Sequence, residues 1–214
     1  DERSIRELFE RSGMVEIVES APEVLVWHLP SDSDGLPAEL RAALAETSDG
    51  RSAAIVIMAA PGTGKSHLLS EFLNLSSARI WRTRVRADAG ASIEAIAALA
   101  RDALTGWSWD EVDRRLADGT ASTRAQVLGD ALRGLTGAAP ATTEEADREA
   151  RFASWIEALD ILARPAPVIW AIEDIHWASR DVLSFLSTAA QAPTSHGRLI
   201  VATARLSVAE HLDA

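Results

Sequence analysis

A glycine-rich octet at residues 59–66, Ala-Ala-Pro-Gly-Thr-Gly-Lys-Ser, constrains the fold of this chain more than any other stretch. The apolar residues 55–58 before it are typical of a buried strand, and an apolar pattern of helical period begins at His67. A strand that passes through glycines into a helix suits phosphate binding, because backbone N–H groups converge there and the helix N-terminus is positive. The sequence therefore predicts a loop that binds the phosphates of a nucleoside triphosphate.

Within this loop, two side chains have separate expected tasks. Lys65 would reach the β- and γ-phosphates, and the Ser66 hydroxyl would bind Mg²⁺. Ala59 stands where the full pattern has glycine, and a methyl group is tolerated there if the backbone conformation is ordinary. The alternative is that the turn is only a tight connection between a strand and a helix. The residues assigned to the bound nucleotide are Ala60, Pro61, Gly62, Thr63, Gly64, Lys65, Ser66 and His67, although His67 is also typical of an exposed helical position.

Length, charge and residue usage exclude several other classes of protein. A chain of 214 residues suffices for one α/β domain with at most a small appendage. It contains no cysteine, so disulfides and thiolate metal sites are excluded. A net charge of −11 argues against direct binding of nucleic acid by this segment. No apolar stretch is long enough for a membrane span and no signal peptide opens the chain, so we expect a cytoplasmic location. The chain begins at Asp1 without methionine and stops at Ala214, soon after a strand-like run, so we also expect it to be a fragment of a longer protein.

Apolar periodicity predicts strands alternating with helices along the chain. Such alternation implies a central parallel sheet with right-handed crossovers, so the predicted fold is a three-layer α/β P-loop NTPase with helices flanking the sheet. Turn residues at 31–35 suggest a boundary between an N-terminal segment of unknown role, 1–34, and the P-loop core, 35–214. Strands are predicted at 14–18, 24–29, 53–60, 79–86, 168–172 and 199–203, and helices at 2–12, 36–45, 65–75, 92–104, 109–135 with a break at 118–119, 142–164 and 179–190, with possible capping boxes at Thr142/Glu145 and Ser207/Glu210.

Two acids close the apolar strand predicted at 168–172. Ligands bind at the carboxyl ends of parallel strands, and buried carboxylates need a cation, which a Mg²⁺ bound to triphosphate would supply. Successive strand side chains point to opposite faces, so both acids can face the metal only if the strand bends. We assign Glu173 to the metal, usually through water, and Asp174 to the attacking water. The opposite allocation stays open, as does the interpretation of the pair as ordinary turn residues.

Arg205 follows the third buried strand and could contact the γ-phosphate, or it could be a solvated residue at a strand end.

His176 could be a base or a metal ligand, but the sequence shows no partner for it. Trp107 and Trp109 are more typical of a packing corner than of a base-stacking platform. The arginines at 79, 82, 84 and 86 are most simply a solvated strand face, and the alternative is that they contact a partner.

The residues at 167–178, Pro-Val-Ile-Trp-Ala-Ile-Glu-Asp-Ile-His-Trp-Ala, resemble the second nucleotide motif of STAND-type P-loop ATPases. They are most similar to the domains of large LuxR/MalT-like transcriptional regulators and of ATPase-coupled class III adenylyl cyclases. The resemblance extends to residues 64–69, to 79–86 as the second strand and to 198–205 as the sensor strand, and it spans about 36–210. Its most specific part is the His-Trp-Ala tail after the acids.

This resemblance implies an AAA/STAND-type switch that uses ATP and Mg²⁺, self-associates when ATP is bound and is reset by slow hydrolysis to ADP. It makes Arg205 the sensor arginine, and it places a lid and effector domains beyond Ala214. The chain departs from the family at 35–45, which lacks a Gly-Arg pair, and at Ser179, where an aspartate is usual. Two other functions stay open: a nucleotide-gated scaffold that does not hydrolyse, and a phosphotransferase, whose acceptor lid only the insertion at 105–141 could provide.

Overall fold

The computed structural model describes residues 24–28, 38–48, 50–87, 93–140 and 148–205. All the paired strands run parallel in one sheet, with the spatial order β1-β2-β5-β4-β3. The strands are β1 (Val24–His28), β2 (Ser52–Ala59), β3 (Arg79–Arg84), β4 (Val168–Glu173) and β5 (Arg198–Arg205). The predicted parallel sheet is confirmed, and β3 lies at its edge, as the alternating pattern of that strand suggested.

Seven helices connect or flank these strands within the described ranges. Ser108 and Ser179 begin two of them by accepting a hydrogen bond from the backbone N–H three residues on. The predicted break in 109–135 separates two helices, and a Cβ on Gly119 would collide with Ile161 of a packed helix. The helices are α1 (Ala38–Ser48), α2 (Lys65–Asn74), α3 (Glu94–Ala103), α4 (Trp109–Gly119), α5 (Ser122–Thr136), α6 (Arg148–Ala163) and α7 (Arg180–Gln191), and a 3₁₀ turn spans Ile175–Trp177.

The sheet separates two apolar clusters, which makes the three layers. Helices α1 and α2 cover one face, where Phe72 packs in a cluster with Ile57 and Val201. Helices α3 to α7 cover the other face, where the Trp170 ring stacks on Phe185 of α7 at a centroid distance of 5.9 Å. Every residue of β4 is buried, as expected for a central strand with helices on both sides.

The strand register brings three chain segments together at the carboxyl end of the sheet. Ala59 at the end of β2 pairs with Arg205 at the end of β5, and Arg84 at the end of β3 pairs with Glu173 at the end of β4. The segments that follow β2, β4 and β5 therefore begin next to one another, which is where ligands bind in open parallel sheets.

Some predictions concern residues outside the described ranges: the helix at 2–12, the strand at 14–18 and both capping boxes. The boundary near residues 31–35 stays a prediction, although β1 precedes it and pairs with β2 of the core. In the described part of the chain, no helix has both the length and the apolar character needed to cross a membrane.

Candidate functional site

The loop at 60–64 connects β2 to α2 with two glycines in the left-handed region. Gly62 has a φ of 80° and Gly64, which precedes α2, a φ of 88°. A Cβ at either position would meet no atom within 4 Å, so glycine is required by the backbone and the space beside the loop is open. Ala59 ends β2 in a strand conformation, which is the condition under which its methyl group is tolerated. The Thr63 hydroxyl ties the loop together by donating to the Ala60 carbonyl at 2.8 Å.

Lys65 begins α2. It is the one lysine in the whole sequence, and the other basic side chains are arginines and histidines. Its Nζ lies under the loop and donates to the carbonyls of Ala59 and Ala60, at 2.8 and 2.7 Å. Burial lowers the pKa of Lys65, the charge of Arg205 lowers it further, and Asp174 opposes both. The amine therefore has neutral acceptors here, and a phosphate oxygen would be a stronger partner.

Glu173 ends β4 with its side chain buried and its carboxylate fully bonded. Oε2 accepts hydrogen bonds from the Ser66 hydroxyl at 2.8 Å and from Nη2 of Arg84 at 2.6 Å. Oε1 accepts two from Arg82, from Nε at 3.1 Å and from Nη2 at 2.8 Å. Burial alone would raise the pKa of Glu173, but the hydrogen bonds from Arg84, Ser66 and Arg82 outweigh it and the pKa is lowered. The carboxylate is therefore ionised at neutral pH.

Arg82 and Arg84 are exposed, as expected of a solvated strand face, but that interpretation is incomplete because both are paired with Glu173. Both side chains are partly exposed, but their guanidinium groups reach across to Glu173 on the neighbouring strand. Arg79 lies on the opposite face of β3, where it donates to the Leu162 carbonyl at 2.8 Å. Sequence reasoning missed this division because the contact depends on β3 lying beside β4 in register. The available signal was two arginines at strand spacing before an acid-terminated strand.

Asp174 leaves β4 in the left-handed conformation, with φ 59° and ψ 40°. Its backbone N–H donates to the Thr203 hydroxyl of β5 at 3.1 Å, a contact that sequence reasoning also missed. The carboxylate lies 3.7 Å from Nε of Arg84 and 3.8 Å from Nε of Arg205. Arg84 thus contacts both acids, so the bend places the two carboxylates of Glu173 and Asp174 on the same side.

The two histidines near the loop have different surroundings. His176, in the 3₁₀ turn after Asp174, has both ring nitrogens buried and without a hydrogen-bond partner in the part of the chain that the structure describes. Burial lowers the pKa of His176, Asp174 opposes this, and Arg205 and Lys65 lower it further, so the ring is neutral at pH 7. The side chain of His67 is 79% exposed on α2 and lies 3.7 Å from Glu71.

The predicted packing corner is present. Arg115 of α4 lies over the Trp107 ring at 4.3 Å, and Arg133 of α5 lies over the Trp109 ring at 4.6 Å. Both indoles also line an open groove of about 290 Å³ on the helical face, apart from the loop and the acids.

The side chains around the loop fit a magnesium ion that arrives with a nucleotide. Ser66 donates its proton to Glu173, which leaves the hydroxyl lone pairs available to a metal. Mg²⁺ usually takes one or two protein oxygens together with phosphate oxygens and waters. Among the described residues, no group of three or more histidine, aspartate or glutamate side chains could hold a metal by itself. The oxygen atoms present therefore suit a shared, nucleotide-borne ion.

Comparison with protein families matches residues 35–202 to the family described as "AAA ATPase domain". No curated protein matches the chain significantly. The matched range includes the loop, both acids and most of β5. Since that range covers most of the 214 residues, the chain belongs to the AAA ATPase domain family and carries an AAA-type P-loop nucleotide-binding domain.

Proposed function

We propose that this domain is a Mg–ATP-binding, slowly hydrolysing nucleotide switch in a signalling or transcriptional regulatory protein. The observation that carries the proposal is the 2.8 Å hydrogen bond from Ser66 to Glu173. It joins the loop to the acid pair across 107 positions of sequence, which supports the proposal that the two motifs belong to one site.

In this proposal the loop binds the triphosphate. Backbone N–H groups of residues 62–64 surround the phosphates, since Pro61 has no N–H to donate, and Lys65 exchanges the carbonyls of Ala59 and Ala60 for phosphate oxygens. Ser66 and Glu173 hold the ion, which supplies charge neutralisation of the phosphates when bound.

Asp174 would orient the attacking water in this proposal. Two observations support the role: its charge acts on Lys65, whose pKa it raises against the effect of burial, and its carboxylate is accessible, with 23% of the side chain exposed, whereas that of Glu173 is buried. Arg205 stands beside Asp174 and would detect the γ-phosphate, because a second anion there competes with Asp174 for the guanidinium. Slow turnover, self-association and the regulatory setting rest on the STAND-like motif at 167–178.

A nucleotide-gated scaffold without hydrolysis is the second candidate. Arg82 and Arg84 occupy the carboxylate of Glu173, which would otherwise be available to the metal. An acid that stayed paired with arginine would allow nucleotide binding but would disfavour metal-dependent hydrolysis.

Two substitutions test the proposal. Lys65→Ala should weaken ATP binding by a factor on the order of 10 to 100, because a charge-assisted hydrogen bond to phosphate is lost. Arg114→Gln, which removes an exposed contact with Glu111 on α4, is the matched control and should leave binding unchanged. Equal ATP affinity in Lys65→Ala and wild type would refute the binding assignment.

Hydrolysis is tested separately. Asp174→Asn should retain ATP binding and lose phosphate release, because the amide keeps the size but not the charge of the carboxylate. If wild type releases no phosphate in any oligomeric state, the scaffold is the correct alternative. Since Lys65 is the one lysine, an amine-directed reagent followed by mass spectrometry reports occupancy at a single side chain. Mg–ATP should protect it.

A further inference from the structure

The hydrogen-bonding capacity of Glu173 is used entirely by the protein itself. A carboxylate offers about four acceptor positions. Arg82 takes two of them on Oε1, and Arg84 and Ser66 take two on Oε2. The side chain is only 4% exposed, so solvent does not supply further partners. A new partner for Oε1 requires Arg82 to leave, and a new partner for Oε2 requires Arg84 or Ser66 to give up its hydrogen bond.

The arginines can leave, whereas the acid cannot. Arg82 and Arg84 lie on the edge strand β3, and their side chains are 43% and 57% exposed. A guanidinium that turns away from Glu173 is rehydrated at little cost, but a buried carboxylate without a cation is strongly unfavourable. Glu173 therefore exchanges one cationic partner for another and does not become unpaired.

The two arginines also oppose a divalent ion by their charge. Both guanidinium groups lie within hydrogen-bonding distance of the oxygens that would hold Mg²⁺, so a cation there meets like charge at short range. Arg84 also lies 3.7 Å from Asp174, so its departure removes one cation from each of the two acids.

We propose that Arg82 and Arg84 form a latch that holds Glu173 in the nucleotide-free domain and competes with Mg²⁺ for it. The latch sets the Mg²⁺ concentration at which the site binds Mg–ATP. Binding of Mg–ATP is thereby coupled to the release of the Arg82 and Arg84 guanidinium groups from Glu173. This inference rests on the proposed function, because it takes the ligand of the site to be Mg–ATP. It also reconciles the two candidates. With the latch closed, Glu173 is not available to Mg²⁺, so nucleotide binding depends only weakly on the metal. With the latch open, Glu173 is available to the metal, as metal-dependent hydrolysis requires.

The test is a titration of ATP binding at stepped concentrations of free Mg²⁺. The proteins compared are wild type, R82Q, R84Q, the double variant R82Q/R84Q and R114Q as the matched control. The double variant should reach half-saturation at about one tenth of the wild-type Mg²⁺ concentration, since competing charged hydrogen bonds are removed. Each single variant should shift less, R84Q more than R82Q, and R114Q should not shift.

A second readout separates the latch from a merely structural role. Binding of Mn²⁺ to the ADP complex, followed by electron paramagnetic resonance, should tighten in the same order without any turnover. R84K keeps the positive charge but loses the fork of donors, so its Mg²⁺ requirement should lie between those of wild type and R84Q. A structural role predicts no such order.

The outcomes are distinguishable. If a folded single or double variant needs as much Mg²⁺ as wild type, or more, the latch is refuted while the proposed function stands. If wild type binds no ATP at any Mg²⁺ concentration, the proposed function itself fails. The single variants keep one arginine on Glu173 and so allow the test even if the double variant does not fold.

Discussion

Two arginine–carboxylate clusters lie at opposite ends of the same sheet and differ in how the cation is buried. At the carboxyl end, Glu173 is paired with two partly exposed arginines. At the amino end, Arg198, the first residue of β5, is paired with Asp160 of α6, and the Arg198 side chain is 0% exposed. Both carboxylates are buried, so the contrast between the clusters lies in their arginines.

The buried Arg198 contacts a carboxylate, two backbone carbonyls and an aromatic ring. Nη1 of Arg198 donates to Asp160 at 2.7 Å, and Nη2 donates to the carbonyls of Ala189 and Ala192, at the C-terminal end of α7. Its guanidinium also lies 5.3 Å from the centre of the Trp170 ring. Arg198 thus joins α6, α7 and the sheet, and it satisfies carbonyls that a helix end leaves unpaired.

This difference indicates that the exposure of the arginine decides whether the ion pair is permanent or exchangeable. We call the buried Arg198–Asp160 pair the brace. Removing the partner of a fully buried charge leaves it uncompensated, whereas an exposed guanidinium recovers its hydration. The amino end is therefore suited to stability and the carboxyl end to ligand exchange. Four measurements test this difference between the two clusters.

The largest expected effect is at the brace. Asp160→Asn should lower the free energy of unfolding by about 3–5 kcal/mol, because Arg198 is left buried without its counter-charge. Chemical denaturation with a linear extrapolation measures it. A loss no larger than that of Arg84→Gln would mean that burial of the cation does not distinguish the clusters.

Two glycines provide a matched comparison of the sheet ends. Gly197, with φ 83°, precedes β5, and a Cβ there would collide with the Thr47 carbonyl. Gly197→Ala should cost about 2–4 kcal/mol, since backbone strain and overpacking add. Gly62→Ala in the loop has open space around its Cβ and should cost about 1–2 kcal/mol from the backbone alone. Equal losses would show that crowding at the amino end is relieved by a backbone shift.

Stability should depend on pH through His196, which is buried beside the brace. Burial lowers the pKa of His196 from its ordinary 6.5, Asp160 opposes this, and Arg164, Arg198 and Arg79 lower it further. The unfolded chain then binds a proton that the folded protein does not, so stability falls as pH decreases through 6.5. The slope from this residue is at most about 1.4 kcal/mol per pH unit.

The control is His196→Gln, whose stability should fall less between pH 7.5 and 5.5 than that of wild type. His176, whose pKa is also lowered, contributes to both proteins and cancels in the difference. Identical pH dependences in thermal unfolding would exclude His196 as the titrating group.

The smallest expected effect is at the latch. Arg82→Gln and Arg84→Gln should each lower the free energy of unfolding by about 1 kcal/mol or less, because each arginine is partly exposed and Glu173 keeps its other partners. Denaturation at two salt concentrations measures this. A loss comparable with that of Asp160→Asn would place the arginines in the stabilising framework and not in an exchangeable contact.

Local patterns in the sequence were sufficient to predict the glycine-rich turn between a strand and a helix, the two acids at the end of a buried strand, and the alternation of strands and helices, while the roles of those residues stay predictions. Each of these depends on residues close together in the chain: the glycines before Lys65, the apolar run before Glu173, and the apolar periodicity within each helix. The break near Gly119 was also readable, because a weak helix former interrupts the pattern there.

What could not be predicted depends on strand order. Arg82 contacts Glu173 because β3 lies beside β4, and Thr203 receives the N–H of Asp174 because β5 lies on the other side. The pairing of Arg198 with Asp160 joins residues 38 positions apart, and nothing in either local pattern indicates a buried charge. Contacts between elements are set by packing of the whole sheet and not by the periodicity of one segment.

The order β1-β2-β5-β4-β3 has a consequence for how the protein folds. The loop follows β2 and the acids follow β4, and these strands meet only through β5, the last strand along the described chain. A partly folded chain without β5 in place would have both motifs but no joined site. Long-range pairing of this kind forms slowly. Nucleotide would then bind the finished fold alone, and at 100 times its dissociation constant it would add about 2.7 kcal/mol to the native state, which makes the ligand a selective stabiliser of completed molecules.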